Sequence, residues 1–290
     1  MPDRVRLGSR WIGRGEPCWI VAEVGANHNG DLARCLSLID AVHAAGADAV
    51  KFQKRDPSMI CVPPARQALP RETPWGVLSY AEYRRRLEFG RAEYDEIDRR
   101  CRALGLLWFA SPWDAPSVEF LMAYDPPCLK VASAGVTDAA LLALLAATGR
   151  PLIVSTGMAD LAVIDQAMTR LPQDRLALLH CTSSYPILDV RELNLRCLPA
   201  LRRRYGVPVG LSDHSTGVWA PLAAAVLGAA IIEKHLTWSR AAWGTDHAAS
   251  VEPDGLRRIV RYIRQWELAA GDGVKRVYAS EQPALNLRQT

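Results

Sequence analysis

The sequence predicts a single (β/α)8 barrel, and three observations carry that expectation. Short β-branched runs alternate with longer amphipathic stretches through most of the chain, the signature of parallel β/α units. The runs number eight and recur about every 25 to 30 residues, as the strands of an eightfold barrel do. The length of 290 residues, 49% hydrophobic and 23% charged, suits one large core and excludes disorder, a fibrous repeat and a disulfide miniprotein. A doubly wound open sheet is the competing architecture. It would carry fewer strands and a Gly-x-Gly-x-x-Gly turn after the first, and Gly25-Ala26-Asn27-His28-Asn29-Gly30 is not that motif.

In chain order, residues 1–18 read as an N-terminal hairpin or cap, 19–270 as the barrel and 271–290 as a tail. The first strand spans 20–24, followed by a Gly/Asn loop and a helix over 31–45. Leu32, Leu36, Ile39 and Val42 give that helix an apolar stripe, and Asp31 is its N-cap. Further strands are expected at 49–52, 106–110, 128–132, 152–155, 176–181, 207–211 and 230–235. Helices are expected over 81–104, 138–147, 161–170, 218–227 and 253–269.

A net charge of +4 is too small and too dispersed for a nucleic-acid reader; the runs Arg84-Arg85-Arg86 and Arg202-Arg203-Arg204 read as solvated helix faces. Seven scattered cysteines, odd in number and without a Cys-x-x-Cys pair, suggest reduced thiols rather than a disulfide framework or structural zinc. Residues 1–10 lack the apolar core of a signal peptide, and no apolar run approaches the roughly 20 residues of a membrane span. A cytoplasmic protein with no membrane partner is expected.

Barrel chemistry sits at the C-terminal strand ends. Those positions hold Glu23; Lys51 and Gln53; Ser111 and Asp114; Lys130 and Ser133; Ser155 and Thr156; His180, Thr182 and Ser183; Ser212, Asp213 and His214; Glu233 and His235. Such a polar ring is costly as mere scaffold. Of 35 basic residues only five are lysines, so Lys51 and Lys130 at two strand ends suggest sites needing a compact ammonium that binds phosphate as a point charge. Pairing with a neighbouring carboxylate, or Schiff-base formation as in lysine aldolases, are the alternatives. Serines from five strands add hydroxyl donors, and together with the lysines they make an anion pocket. His214 and His235 follow adjacent strands and can share one divalent ion, completed by carboxylate, water or substrate. Two nitrogens alone do not choose among manganese, zinc and iron.

At these residues the chain resembles the sialic acid synthase family, which condenses phosphoenolpyruvate with an aldose. The matching stretches are AEVGANHNG (22–30), AGADAVKFQ (45–53), LKVAS (129–133), VSTGM (154–158), LHCT (179–182) and GLSDH (210–214). The resemblance implies a (β/α)8 barrel with a phosphoenolpyruvate site at Lys51, Ser111, Lys130, Ser133, Ser155, Ser183 and Ser212. It implies Glu23 as catalytic carboxylate beside Lys51 and Lys130, His214 and His235 as ligands of Mn2+, and Gln53, Tyr185 and Asp246 as contacts to an N-acetylmannosamine-like acceptor. It also implies a homodimer. Two departures concern the acceptor. Gly135 stands where the family has a carboxylate, and the sequence stops at Thr290, where family members usually continue into an antifreeze-like domain. The stretch 55–80 with Trp75 and the stretch 238–246 with Trp243 are candidates for closing the pocket instead. The expected activity is phosphoenolpyruvate-dependent condensation to a 2-keto-3-deoxy sugar acid and phosphate. A metal-assisted 2-keto acid aldolase or lyase, or a catalytically silent sugar-acid-binding barrel, are the alternatives.

Overall fold

The computed structural model describes residues 3–59 and 67–288. After a hairpin of β1 (Arg4–Leu7) and β2 (Arg10–Gly13), eight strands form one all-parallel sheet. They are β3 (Trp19–Gly25), β4 (Ala49–Lys54), β7 (Leu107–Pro112), β8 (Leu129–Val131), β9 (Leu152–Ser155), β10 (Leu176–Cys181), β11 (Val209–Asp213) and β12 (Ile231–His235). The ladder runs β7-β4-β3-β12-β11-β10-β9-β8, and its two end strands β7 and β8 pack side by side, so the sheet curls into a barrel. The predicted (β/α)8 fold is the one observed.

The helices that follow these strands are α1 (Leu32–Ala45), α2 (Tyr80–Leu87) with α3 (Arg91–Leu104), α4 (Ala115–Met122), α5 (Ala139–Ala147), α6 (Leu161–Met168), α7 (Cys197–Tyr205), α8 (Trp219–Val226) and α9 (Pro253–Ala269). Asp31 caps α1 by accepting the Arg34 N–H, as expected. The single helix expected over 81–104 is instead two. The chain leaves α2 at Glu88 and restarts at Gly90, because Glu88 accepts the backbone N–H of Arg55 and Phe89 stacks on His28 at 4.0 Å. These partners lie far away in sequence, so helical periodicity could not reveal the break. A second hairpin, β5 (Pro70–Thr73) with β6 (Gly76–Ser79), occupies the segment before α2.

Strand period two sorts the residues. Ile20, Ala22, Val50, Phe52, Leu129, Val154, Leu178 and Ile232 point outward to the helices in the larger core cluster. Trp19, Val21, Ala49, Phe109, Ile153, Ala177 and Ile231 point inward, and Val5, Leu7 and Ile12 of the β1–β2 hairpin pack against them at the N-terminal end. Trp19 and Phe109 stack there at 5.6 Å. The bottom is thereby filled with apolar side chains, and inward positions further along each strand are left to polar residues. Among the described residues no helix is long and apolar enough to cross a membrane.

Candidate active site

Inward parity delivers Glu23 from β3, Lys51 and Gln53 from β4, Ser111 from β7, Lys130 from β8, Ser155 from β9, Ser212 from β11, and Glu233 and His235 from β12. All but Gln53 are buried. Lys51 Nζ lies 2.8 Å from Glu23 Oε2, 3.3 Å from Ser111 Oγ and 3.7 Å from Glu233 Oε1. Lys130 Nζ donates to Ser155 Oγ at 2.6 Å and to the Val131 carbonyl at 3.0 Å, with Glu233 Oε2 at 4.0 Å. Ser212 donates to Glu233 at 3.2 Å, and Gln53 Nε2 donates to Glu23 at 3.1 Å.

The two carboxyls are pushed apart. Burial raises the pKa of Glu23 against the pull of Lys51, and the Glu233 charge adds to the rise. Glu233 is itself held low, because Lys130 and Lys51 outweigh its burial. Burial works against the Lys51 ammonium, yet Glu23 and Glu233 raise its pKa; Lys130 is lowered by burial despite Glu233. Glu233 therefore stays charged between the two lysines, while Glu23, the nearer partner of Lys51, is the carboxyl readier to take a proton. The sequence puts Glu233 at a strand end and assigns it no role; its place between two lysines from other strands is a property of barrel closure.

Ser133 and Ser183 meet around Gly157. The Gly157 N–H donates to Ser133 Oγ at 3.1 Å, and a Cβ at Gly157 would lie 2.7 Å from Ser133 Oγ and 2.2 Å from Ser183 Oγ. Cys181, inward at the end of β10, touches Ser133, Ser183 and His214 at 3.5, 3.9 and 3.8 Å. The matching stretch 179–182 includes this thiol but assigns it no role. At Gly135, where the resemblance implies a carboxylate in other members, a Cβ would meet Leu141 and Val131 at 3.4 Å.

His214 and His235 come together, ring centroids 5.5 Å apart, with Tyr185 over His214 at 3.9 Å. His214 Nδ1 donates to the Thr182 carbonyl at 2.8 Å, which leaves Nε2 for another partner. His235 Nδ1 is buried without a hydrogen bond, 4.0 Å from Asp246 Oδ2, and burial pushes its pKa down to about 3. Both imidazoles can thus present a free nitrogen to a cation. Among the described residues no group of three or more His, Cys, Asp or Glu is placed to hold a metal, so a bound ion would take its remaining ligands from water or substrate.

Several strand-end polar residues face elsewhere. Thr156 Oγ1 donates to the Leu179 carbonyl, His180 Nε2 bonds the Leu193 carbonyl at 2.8 Å, and Asp114 caps α4. Asp213 points outward and pairs with Lys234 at 2.7 Å, both side chains fully buried. The run at 84–86 is not a uniform solvated face either: Arg85 and Arg86 are exposed, whereas Arg84 turns in toward Tyr80. Trp75 and Trp243 meet edge to face at 6.2 Å.

The NeuB family model matches residues 38–275 of the chain. The chain is 36% identical over 289 residues to the Homo sapiens N-acetylneuraminate-9-phosphate synthase, covering 97% of this chain and 79% of that protein. It is 34% identical over 280 residues to the N,N'-diacetyllegionaminic acid synthase of Legionella pneumophila, covering 93% and 78%. Among solved structures, the N-acetylneuraminic acid synthetase of Leptospira borgpetersenii, crystallised with citrate, superposes with a TM-score of 0.85 at 32% identity, covering 99% of this chain and 96% of that one.

Proposed function

The chain belongs to the NeuB family, and on that premise we propose that it condenses phosphoenolpyruvate with an N-acylated aldose to give a 2-keto-3-deoxy sugar acid and inorganic phosphate. The observation that carries the reading is the buried Glu23, Lys51, Glu233 and Lys130 array, edged by serine hydroxyls and set beside two histidines with free nitrogens. Such an array is expensive as scaffold, and a trianionic ligand gives its lysines and hydroxyls a partner.

Lys51, Ser111, Lys130, Ser133, Ser155, Ser183 and Ser212 hold the phosphate and carboxylate of phosphoenolpyruvate. Gln53, Tyr185 and Asp246 face the acceptor. His214 and His235 would hold a divalent ion, Mn2+ on the family resemblance, which when bound supplies a Lewis acid for the acceptor aldehyde. The enol carbon forms a bond to the aldehyde carbon, leaving an oxocarbenium centre at C2. Water adds there and gives its proton to Glu23, whose raised pKa suits proton uptake, while the former aldehyde oxygen takes up a proton to become a hydroxyl. The C–O bond to phosphate then breaks as the new C2 hydroxyl gives its proton to the departing phosphate and becomes the ketone, with the lysines stabilising the departing charge. On this reading residues 19–270 are the catalytic unit, with 1–18 as cap and 271–290 as tail. The protein works in the cytoplasm, as a homodimer, without nucleic acid or membrane.

The test is phosphate release from phosphoenolpyruvate by metal-loaded protein across a panel of aldoses, with mass analysis of the product. Release that needs both aldose and metal, and falls at least about a hundredfold in Glu23→Gln, is expected. Pyruvate formation, silence across the panel, or an unimpaired Glu23→Gln would overturn the proposal.

A further inference from the structure

Resting on that reading, we propose that Asn27 and Asn29 are positioning residues: they clasp the 236–251 loop, so that His235 and Asp246 keep their places at the metal and acceptor end of the site. Both belong to the stretch 22–30, whose Asn-His-Asn-Gly turn follows β3 and has no part of its own in the proposed reaction. Asn27 is 1% exposed. Its Nδ2 donates to the Leu236 carbonyl at 2.8 Å and to Ser250 Oγ at 2.9 Å, which uses both N–H donors of the amide. Ser250 Oγ in turn donates to the Asp246 carbonyl at 2.7 Å. One buried amide therefore reaches the residue after His235 directly and the backbone of Asp246 through a single hydroxyl. Asn29 Nδ2 donates to the Trp243 carbonyl at 2.9 Å, on the same excursion shortly before Asp246.

Apolar burial does not fix this loop. It leaves the barrel after β12 and closes at one parallel bridge, Leu236 with Val251, and no residue from 238 to 246 is buried. Such an excursion takes its position from hydrogen bonds at its neck. Thr237 Oγ1 and His247 Nδ1 cross the neck at 2.6 Å, but that tie lies within the loop and does not locate it on the barrel. Along the excursion the outside contacts are ring contacts: Trp243 against Trp75 and Tyr83, and Arg34 over Trp238. The asparagines and the Leu236 N–H, which donates to the Glu23 carbonyl at 2.8 Å, tie it by hydrogen bonds to the end of β3 and the turn beyond. The position matters because the Asp246 carboxylate faces the unpartnered His235 Nδ1 at 4.0 Å. A misplacement of about 1 Å among reacting groups can cost about a hundredfold in rate. None of the residues proposed to hold phosphoenolpyruvate lies in the loop, so the clasp acts on the metal and acceptor half alone.

The experiment measures Mn2+ affinity, and phosphoenolpyruvate affinity at saturating Mn2+, by titration calorimetry in wild type, Asn27→Asp, Asn29→Asp and Ser250→Ala. Hydrogen–deuterium exchange of residues 236–251 and kcat and KM across the aldose panel accompany it. Asn27→Asp keeps the shape of the side chain and removes both donors. Its added negative charge by itself favours a cation, so weaker Mn2+ binding reads displaced ligands. Mn2+ affinity at least about tenfold weaker is expected, with phosphoenolpyruvate within about twofold and faster exchange across the loop. Ser250→Ala and Asn29→Asp, which touch only the Asp246 side, should speed exchange around 243–246 and raise the aldose KM at least about fivefold, with Mn2+ affinity within about threefold. These two variants decide the matter if Asn27→Asp does not fold. A merely structural role would lower the melting temperature and weaken both ligands alike. Equal losses of Mn2+ and phosphoenolpyruvate affinity, unchanged Mn2+ affinity and exchange in folded variants, or a wild type that takes up no Mn2+ overturns the clasp. Mn2+ uptake without turnover of any aldose sinks the proposed reaction alone, and calorimetry with exchange still decides the clasp.

Discussion

Gly157→Ala tests the anion pocket directly, because the added methyl lands where two proposed ligand hydroxyls sit. The Cβ would lie 2.2 Å from Ser183 Oγ, 2.7 Å from Ser133 Oγ and 3.0 Å from Cys181 Sγ. The two oxygen contacts are not tolerable for a carbon, so both hydroxyls must swing away, and Ser133 loses its 3.1 Å bond from the Gly157 N–H. Hydrogen bonds to a charged partner are worth about 1.5–3 kcal/mol each; losing two, partly replaced by water, costs about 3 kcal/mol of phosphoenolpyruvate binding. At 1.4 kcal/mol per decade that is about a hundredfold. Stability should hold, since Ser133 and Ser183 are only half-buried and have room to move. Gly210→Ala is the contrast: its Cβ would lie 2.2 Å from the Ile231 carbonyl oxygen, fixed backbone of the neighbouring strand, so it should lower the melting temperature. Calorimetric titration of metal-loaded protein with phosphoenolpyruvate reads the first effect, and thermal denaturation reads the second. Gly157→Ala binding within about threefold of wild type would refute the placement of Ser133 and Ser183 in the anion pocket.

Two further outcomes follow from buried charge. Lys234→Met strands the Asp213 carboxylate in a fully buried place and should cost about 3–5 kcal/mol in urea unfolding, whereas a loss under about 1 kcal/mol would show that the pair is not needed. His28 is held neutral, its pKa pushed down to about 3 by burial, while its Nδ1 accepts the Gly30 N–H. The depressed native value means its contribution is complete above the ordinary histidine value of about 6.5 and is lost as pH falls from there toward 3, by up to about 1.4 kcal/mol per unit. Urea unfolding at pH 7 and pH 5 should therefore show a larger acid-induced loss in wild type than in His28→Gln; equal losses would remove His28 as the cause.

How much of this was legible beforehand depends on which face of a strand a residue takes. The eight strands and their order along the chain came from apolar runs and turn spacing, and 152–155 and 176–181 agree with the observed β9 and β10 residue for residue. The strand ends were therefore located, but not their phase. Both faces of a parallel barrel are buried, so the sequence alternates little and does not say which side is inward. Thr156, His180 and Asp213 are as polar as Ser155, Cys181 and Ser212 are small, and only closure of the sheet separates them.

The outward set is not idle. Asp213 and Lys234 sit side by side in the β11–β12 register, immediately before His214 and His235, and their buried ion pair ties together the two strand ends that carry the imidazoles. Lys234 also donates to the Ser215 carbonyl, just past His214, and the Thr182 carbonyl from the neighbouring β10 loop takes the His214 Nδ1 proton. The backbone that carries both histidines is thus tied down by an outward-facing ion pair, and the His214 ring is oriented by the Thr182 carbonyl, none of which touches substrate in the proposed mechanism. Precise placement of reacting groups needs such support, because a ligand side chain is only as well fixed as the backbone and partners behind it.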